Sequence, residues 1–362
     1  MRAGAGLSRN PDVREAAAEA AGQALAAGGL SRASCLVVAA TPEHLDESLD
    51  LVDALRRAAG GGVRIVGGAT GTAAILGDAE EEEGPVLGVL ALEAGAEPFL
   101  VRDGASTLSA VSSGTAVVFA DPAAPLNRLI ATLRRSVPRA RVAGGGVAVQ
   151  GGLLYDDDVV EADAVGLLLD STHRIAVAQS HQPIGAPLLV TRVEGRSILE
   201  LDGKPAVDAL SALAEQPGMS EDALRFLALG VSPQGGEPFS AEDFLTVPLL
   251  GIDDERGSLE AAVPVAEGTS ISFTLRDGMG ARRTLSAALT RTGSARPAFG
   301  IYFDCASRGS ALHGTPGLDL SLIEKAYGRF PLLSLRTSFE LGPSGTGTGV
   351  HLFTGVLALA DP

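Results

Sequence analysis

Tryptophan is absent from this 362-residue sequence and aromatics make up 4% of it. Any core must therefore be built from Val, Leu, Ile and Ala. Lysine is confined to Lys204 and Lys325 against many arginines, which reads as compositional bias and not as a site. Two cysteines, Cys35 and Cys305, are too few for a disulfide framework and point to a reducing compartment. No apolar run reaches the ~20 residues that span a bilayer. The first residues, Met1-Arg2-Ala3-Gly4-Ala5-Gly6-Leu7, lack the apolar stretch of a signal peptide. Cytoplasmic location is the expectation. No Gly-x-Ser-x-Gly elbow, P-loop or paired-histidine spacing occurs, which argues against hydrolase, nucleotide and zinc chemistry. Asp156-Asp157-Asp158 with Glu161 lacks EF-hand spacing and reads as a solvated turn.

What is present is 46% hydrophobic and 20% charged residues with a net charge of −16. That is a globular composition. The acidic surface disfavours nucleic acid and anionic membranes as partners. The length implies two domains, with a boundary at Gln216-Pro217-Gly218, giving 1–216 and 217–362.

A recurring order runs along the chain. Residues 3–8 read as a strand, and Asn10-Pro11-Asp12 starts a helix, with Asn as cap and Pro at the first helical position. Leu36-Val37-Val38-Ala39-Ala40 is a buried strand by composition. A helix started by Thr41-Pro42-Glu43 follows, then a strand ending in Gly67-Gly68, then a hairpin ending in Gly88-Val89-Leu90-Ala91-Leu92. Residues 78–84, rich in Glu, read as a solvated loop. A second copy has Ala116-Val117-Val118-Phe119-Ala120, a helix over 125–136, Gly144-Gly145-Gly146 and a hairpin ending in Val165-Gly166-Leu167-Leu168-Leu169. A third has Phe299-Gly300-Ile301-Tyr302-Phe303, a helix capped by Asp319, a strand from Pro331, and Gly355-Val356-Leu357-Ala358-Leu359. Three copies in one order indicate internal duplication. Each is too small to bury its own sheet, so the units must pack together. Between copies two and three lie further strands over 174–178, 188–193, 197–201, 259–265 and 270–275. A helix over 205–213 stands among them, and Ser220-Glu221-Asp222 caps another. The fold class is mixed α/β, repeated strand–helix–hairpin units forming mixed sheets flanked by helices.

The glycine turns Gly67-Gly68 and Gly144-Gly145 bring backbone amides close to a guest or to another strand. A tight turn or bulge is the plainer alternative. They are no dinucleotide fingerprint, because the helix precedes the glycines. Cys305, Arg308 and Gly309 follow the carboxyl end of a buried strand, where ligand groups gather in α/β sheets. Arg308 suits a carboxylate through a two-pronged pair, or else forms a structural ion pair with Glu340. Cys305 as a nucleophile needs a base, and His313 is the nearest in sequence; a chance pairing is the plainer explanation, so no enzyme is expected.

Several of these segments, taken in order, carry a family resemblance. They are Val66-Gly67-Gly68-Ala69-Thr70-Gly71, Gln179-Ser180-His181-Gln182-Pro183-Ile184-Gly185, Leu201-Asp202-Gly203-Lys204-Pro205-Ala206, Asp304-Cys305-Ala306-Ser307-Arg308-Gly309 and Phe339-Glu340-Leu341-Gly342-Pro343. The chain resembles the FIST family, with N-terminal and C-terminal halves, from about Ser34 to near its end. The resemblance implies an intracellular sensory module that binds a small ligand such as an amino acid, needs no cofactor or metal, and signals to a protein partner in trans. In related eukaryotic proteins the halves follow an F-box, which implies protein recruitment as the alternative. The implied contacts fall on Thr70 and His181 beside the glycine turns, Cys305, Arg308, Gly309 and Glu340. Together the units would leave a crevice where backbone amides and the Arg308 guanidinium meet the guest.

Overall fold

The computed structural model describes all residues except 79, 109–113, 171–173, 217–218, 221–223, 234–237, 241–242 and 362. The proposed boundary residues Pro217 and Gly218, and Glu221 and Asp222 of the second cap, lie outside the described residues.

All three copies are present. In each, two parallel strands are joined through one or two helices. The pairs are Cys35–Ala40 with Arg64–Ala69, Thr115–Ala120 with Arg141–Gly146, and Phe299–Cys305 with Leu332–Thr337. The return strands Leu87–Leu92, Ala164–Leu169 and Thr354–Ala360 run antiparallel to the first member of each pair. A further strand then lies antiparallel to each return strand: Ala3–Ser8, Ala96–Arg102 and Arg174–Gln179. The central strands are buried at every position because helices and neighbouring sheets cover both faces, so they read as continuous apolar runs with no alternation.

The hairpins depart from the sequence expectation. The first arm of each leaves its own unit and joins the sheet of another. Ala73–Ile75 of unit one pairs with Leu332–Thr337 of unit three. Glu340–Ser344 of unit three pairs with Arg141–Gly146 of unit two. Leu153–Tyr155 of unit two pairs with Arg64–Ala69 of unit one. The exchange closes a ring. The centre it encloses is filled: Val117, Phe119, Val165, Phe303, Leu335 and Val356, from units two and three, share one core cluster with unit one. The rings of Phe119 and Phe303 meet at 5.5 Å. Among the described residues, these inward positions are aliphatic or aromatic, and they fill the place where the sequence suggests a crevice.

The stretch between copies two and three is an insertion within unit three. Its strands His181–Glu194, Ser270–Arg276, Leu227–Val231, Leu245–Asp253, Ser258–Ala261 and Ser197–Leu201 pair in that order and close through the first and last. Among the described residues these six strands close into a barrel, with the short strand Lys204–Pro205 paired outside it. Closure removes exposed sheet edges. The helix Ala206–Ala214 packs its Ala206, Leu210 and Leu213 onto the barrel core with Leu229 and Phe273.

Helix starts differ in detail from the sequence reading. Asp12, not Asn10, caps Val13–Gly28, accepting from the amides of Arg14 and Glu15 at 3.0 Å. Asn10 instead bonds the Asp12 amide. The helix after Thr41 breaks into Pro42–Leu45 and Ser48–Ala59. Asp319 is not a cap: it lies inside Leu318–Tyr327, and Gly317 holds the cap position.

Candidate functional site

Strand Phe299–Cys305 delivers Asp304 and Cys305 to a turn ending at Arg308. Arg308 is among the largest wholly buried side chains. Its Nε and Nη2 donate to Asp319 Oδ2 at 2.9 and 2.7 Å. Its Nη1 donates to Ser180 Oγ at 2.7 Å and to the Ala178 carbonyl at 3.3 Å. Asp304 Oδ1 stands 3.0 Å from Nε. The ion-pair partners are thus Asp319 and Asp304; the Glu340 pairing expected from sequence does not form. A buried guanidinium needs compensating acceptors, and Arg308 finds them in its own chain.

The network extends outward. Tyr302 Oη donates to Asp319 Oδ2 at 2.9 Å, and His313 Nε2 lies 3.1 Å from Asp319 Oδ1. Burial alone would raise Asp319, yet Arg308 and His313 hold its carboxyl far below the usual range. Burial lifts Asp304, against the pull of Arg336 and Arg308. Arg336 donates to Asp304 at 2.6 Å, to Glu80 at 2.7 Å and to Glu82 at 3.0 Å. Glu80 also accepts from the Gly317 amide at 2.7 Å, and Glu82 from the Ser310 amide at 2.9 Å. Two carboxylates of the acidic loop, Glu80 and Glu82, thus dock from unit one onto unit three, because Arg336 and two backbone amides offer them donors, while residues 81–84 keep the exposure expected of a solvated loop.

Gly309 sits where this turn has no room for a side chain. It adopts φ 63 and ψ −140, a region open to glycine. A Cβ there would come within 2.0 Å of Arg336 Nη2 and 2.2 Å of Glu82 Oε1.

Cys305 and Glu340 form a second, less polar centre. Glu340 is fully buried; it accepts from the Thr337 hydroxyl at 2.9 Å and the Thr354 amide at 3.2 Å. Burial pushes its carboxyl well above the usual range. Burial and then Glu340 also raise the Cys305 thiol, whose side-chain partner is the Ser307 hydroxyl at 3.3 Å. A raised thiol is a poor nucleophile, and His313 is turned to Asp319. His181, at the mouth of the barrel, is buried against the Phe353 ring at 4.8 Å. Burial and then Arg276 lower it to about 4, and its Nδ1 has no hydrogen-bond partner.

The structure brings Cys305, Arg308, Gly309, Glu340 and His181 to one end of unit three. Gly145 joins them through its pairing with Glu340. Thr70 reaches the same end: its hydroxyl lies 3.1 Å from the Arg336 carbonyl and accepts the Arg336 amide at 2.9 Å. Gly67, Gly68 and Gly144 lie within the paired parallel strands of units one and two. A Cβ at Gly67 would meet the Val38 carbonyl oxygen at 1.8 Å, and one at Gly144 the Val118 carbonyl oxygen at 2.2 Å. Sequence reasoning missed Asp304, Asp319, Arg336 and Glu80. Asp304 had a signal, a charge at the end of an otherwise apolar run; Asp319 reads as a helix cap, and Arg336 and Glu80 meet only through chain brought from afar.

The barrel joins the core at this same place. Ser180 leads in and Asp277 leads out, and the Asp277 amide donates to the Ser180 carbonyl at 2.9 Å. Arg308 holds Ala178 and Ser180, while Arg276 donates to the Ser307 carbonyl. One turn thus grips both crossings.

A three-unit core with a barrel inserted in its last unit, and a buried ionic turn at the junction, define the class as a triplicated mixed α/β fold. The chain belongs to the FIST family: the FIST N domain matches residues 34–204 and the FIST C domain residues 206–343, and FIST domains are signal-transduction sensory domains. It is similar to an uncharacterized protein of Mycobacterium tuberculosis strain H37Rv, 32% identical over 386 residues and 99% of each chain. An uncharacterized protein of Mycobacterium bovis strain AF2122/97 is 31% identical over 384 residues, 99% of this chain and 98% of its own. Among the described residues no helix is long and apolar enough to cross a membrane.

Proposed function

We propose that this chain is a cytoplasmic sensory protein that binds a small ligand and responds by moving the barrel against the three-unit core. The supporting observation is the junction. Both crossings to the barrel run side by side: Arg308 ties the first to Asp304 and Asp319 of the core, and Arg276 of the second donates to the Ser307 carbonyl in the same turn. Buried ion pairs tolerate few intermediate geometries, since breaking one leaves an uncompensated charge. A ligand with unequal affinity for two barrel positions would shift their populations. The signal would pass to a protein partner in trans. No catalytic role is assigned to Cys305 in this reading. A thermal-shift screen with amino acids and small organic acids tests it. A ligand at 100 times its Kd adds about 2.7 kcal/mol of stability and raises Tm. Folded protein with an unmoved Tm across the screen at millimolar concentrations counts against the reading.

A second reading is recruitment of a protein without any small ligand. It is favoured by Leu250, Ile252 and Val263 on the barrel, which are 55%, 56% and 51% exposed. Leu250→Glu with Ile252→Lys would then abolish capture of a partner while leaving ligand-induced Tm shifts absent in both proteins.

A further inference from the structure

A cavity of about 360 Å³ lies beside the junction, lined by Arg141, Arg174, Gln179, Asp243, Arg291 and His351 among others. Five parts of the fold contribute. Arg141 opens the unit-two strand Arg141–Gly146. Arg174 and Gln179 end the unit-three edge strand. Arg291 closes the helix Gly278–Arg291, and His351 ends the strand Gly347–His351 of the exchanged hairpin. Asp243 comes from the barrel. On a chain of net charge −16, three guanidinia against one carboxylate is a local reversal of sign.

The three arginines are not equivalent. Arg174 is committed: it donates to the carbonyls of Thr292 and Ala295 at 3.0 and 2.9 Å and pairs with Asp361 at 2.8 Å. Arg291 is exposed and, among the described residues, forms no ion pair or side-chain hydrogen bond. The deeper wall carries an orphan. His351 is 1% exposed. Its Nε2 is satisfied by the Pro343 carbonyl at 3.2 Å, so that nitrogen carries the proton. Nδ1 is then a bare acceptor, and it is buried with no hydrogen-bond partner. Such a group costs about 1–3 kcal/mol unless something donates to it. Ser344 Oγ, lining the same cavity, is likewise buried without a partner.

We propose that this cavity binds a small organic anion of charge −2, a phosphate monoester or a dicarboxylate, that also carries a hydroxyl. The anionic groups pair with Arg291 and Arg141, and the hydroxyl donates to His351 Nδ1. A planar guanidinium matches either oxyanion with two parallel hydrogen bonds. The positive balance of the wall favours a dianion over a zwitterion. A second cavity of about 480 Å³ shares Arg141, Pro343 and Gly345 with the first and adds Arg134, so the favourable field continues past Arg141. The proposal rests on the sensor reading and deepens it, since Asp243 and Gln179 link the cavity to the barrel: Gln179 Nε2 donates to the Phe244 carbonyl at 2.8 Å.

The test is calorimetric titration of the full chain with malate and glucose 6-phosphate, with inorganic phosphate and glycine as controls, at two salt concentrations. The expected result is saturable binding of at least one hydroxylated dianion, weakened by salt and about tenfold or more by Arg291→Ala. His351→Phe should remove the preference for malate over succinate. Equal affinity in wild type and Arg291→Ala, or no binding of either dianion, overturns the proposal. If a neutral or zwitterionic compound shifts the Tm of wild type and Arg291→Ala alike, the sensor reading survives and this site does not; if nothing binds, both fall.

Discussion

His181 shows how burial converts a common side chain into a pH-dependent element. It faces the Phe353 ring, with Arg276 as its charged neighbour, and it protonates only near pH 4 in the native protein. An unfolded chain protonates it near 6.5. Between those values the unfolded state binds the extra proton, so this residue removes stability as pH falls from 6.5 toward 4 and has no effect above 6.5. The full loss is on the order of 3 kcal/mol. His181→Leu, which discards the unpartnered Nδ1, should flatten that part of the acid limb. Urea unfolding of both proteins at pH 7 and pH 4.5 checks it; parallel losses in the two proteins refute it. At this scale the sequence was informative about which residues were unusual but not about their partners. Arg308 stood out after a buried strand, yet its partner Asp319 looked like a helix cap, since a carboxylate one turn into a helix carries no mark of facing inward.

Among elements, the loop over residues 80–83 and the turn at Gly309 act as a pair. The loop supplies Glu80 and Glu82; the turn supplies the space in which Arg336 receives them. Gly309→Ala adds both a disfavoured backbone conformation and a clash with the Arg336–Glu82 pair, and should cost about 2–4 kcal/mol. Gly151→Ala is the comparison. Gly151 also has positive φ, 73, but a Cβ there meets nothing within 4 Å, so about 1–2 kcal/mol is expected. Denaturant melts of both variants measure the difference; similar losses would show that the loop contributes nothing at Gly309. Strand and helix positions were legible because buried runs and 3.6-residue spacing are local. The docking of the acidic loop was not, because a run of glutamates is ordinarily solvated and Arg336 is more than 250 residues away.

For the whole molecule the ring of exchanged strands is decisive. Unit one cannot complete its sheet without Leu153–Tyr155, and unit two cannot complete its own without Glu340–Ser344. Threefold repetition could be read from the sequence, because like segments recur in order. The exchange could not, since an arm of three to five residues pairs equally well on paper with its own unit. Residues 1–204 produced alone should therefore lack a cooperative unfolding transition. Co-expression with 206–362 should restore one, read by circular dichroism and co-purification. A sharp transition in 1–204 alone would show that the exchanged strands are dispensable.

The hydrogen bond between Asp277 and Ser180 places the two ends of a 96-residue excursion side by side. A segment tethered in this way asks nothing of the host chain beyond a short stitch, so the host can keep its own architecture while the guest is lengthened, trimmed or exchanged for another. The surrounding arginines then work as a clasp, and diversity in what such proteins recognise can accumulate in the guest without rewriting the frame that wears it.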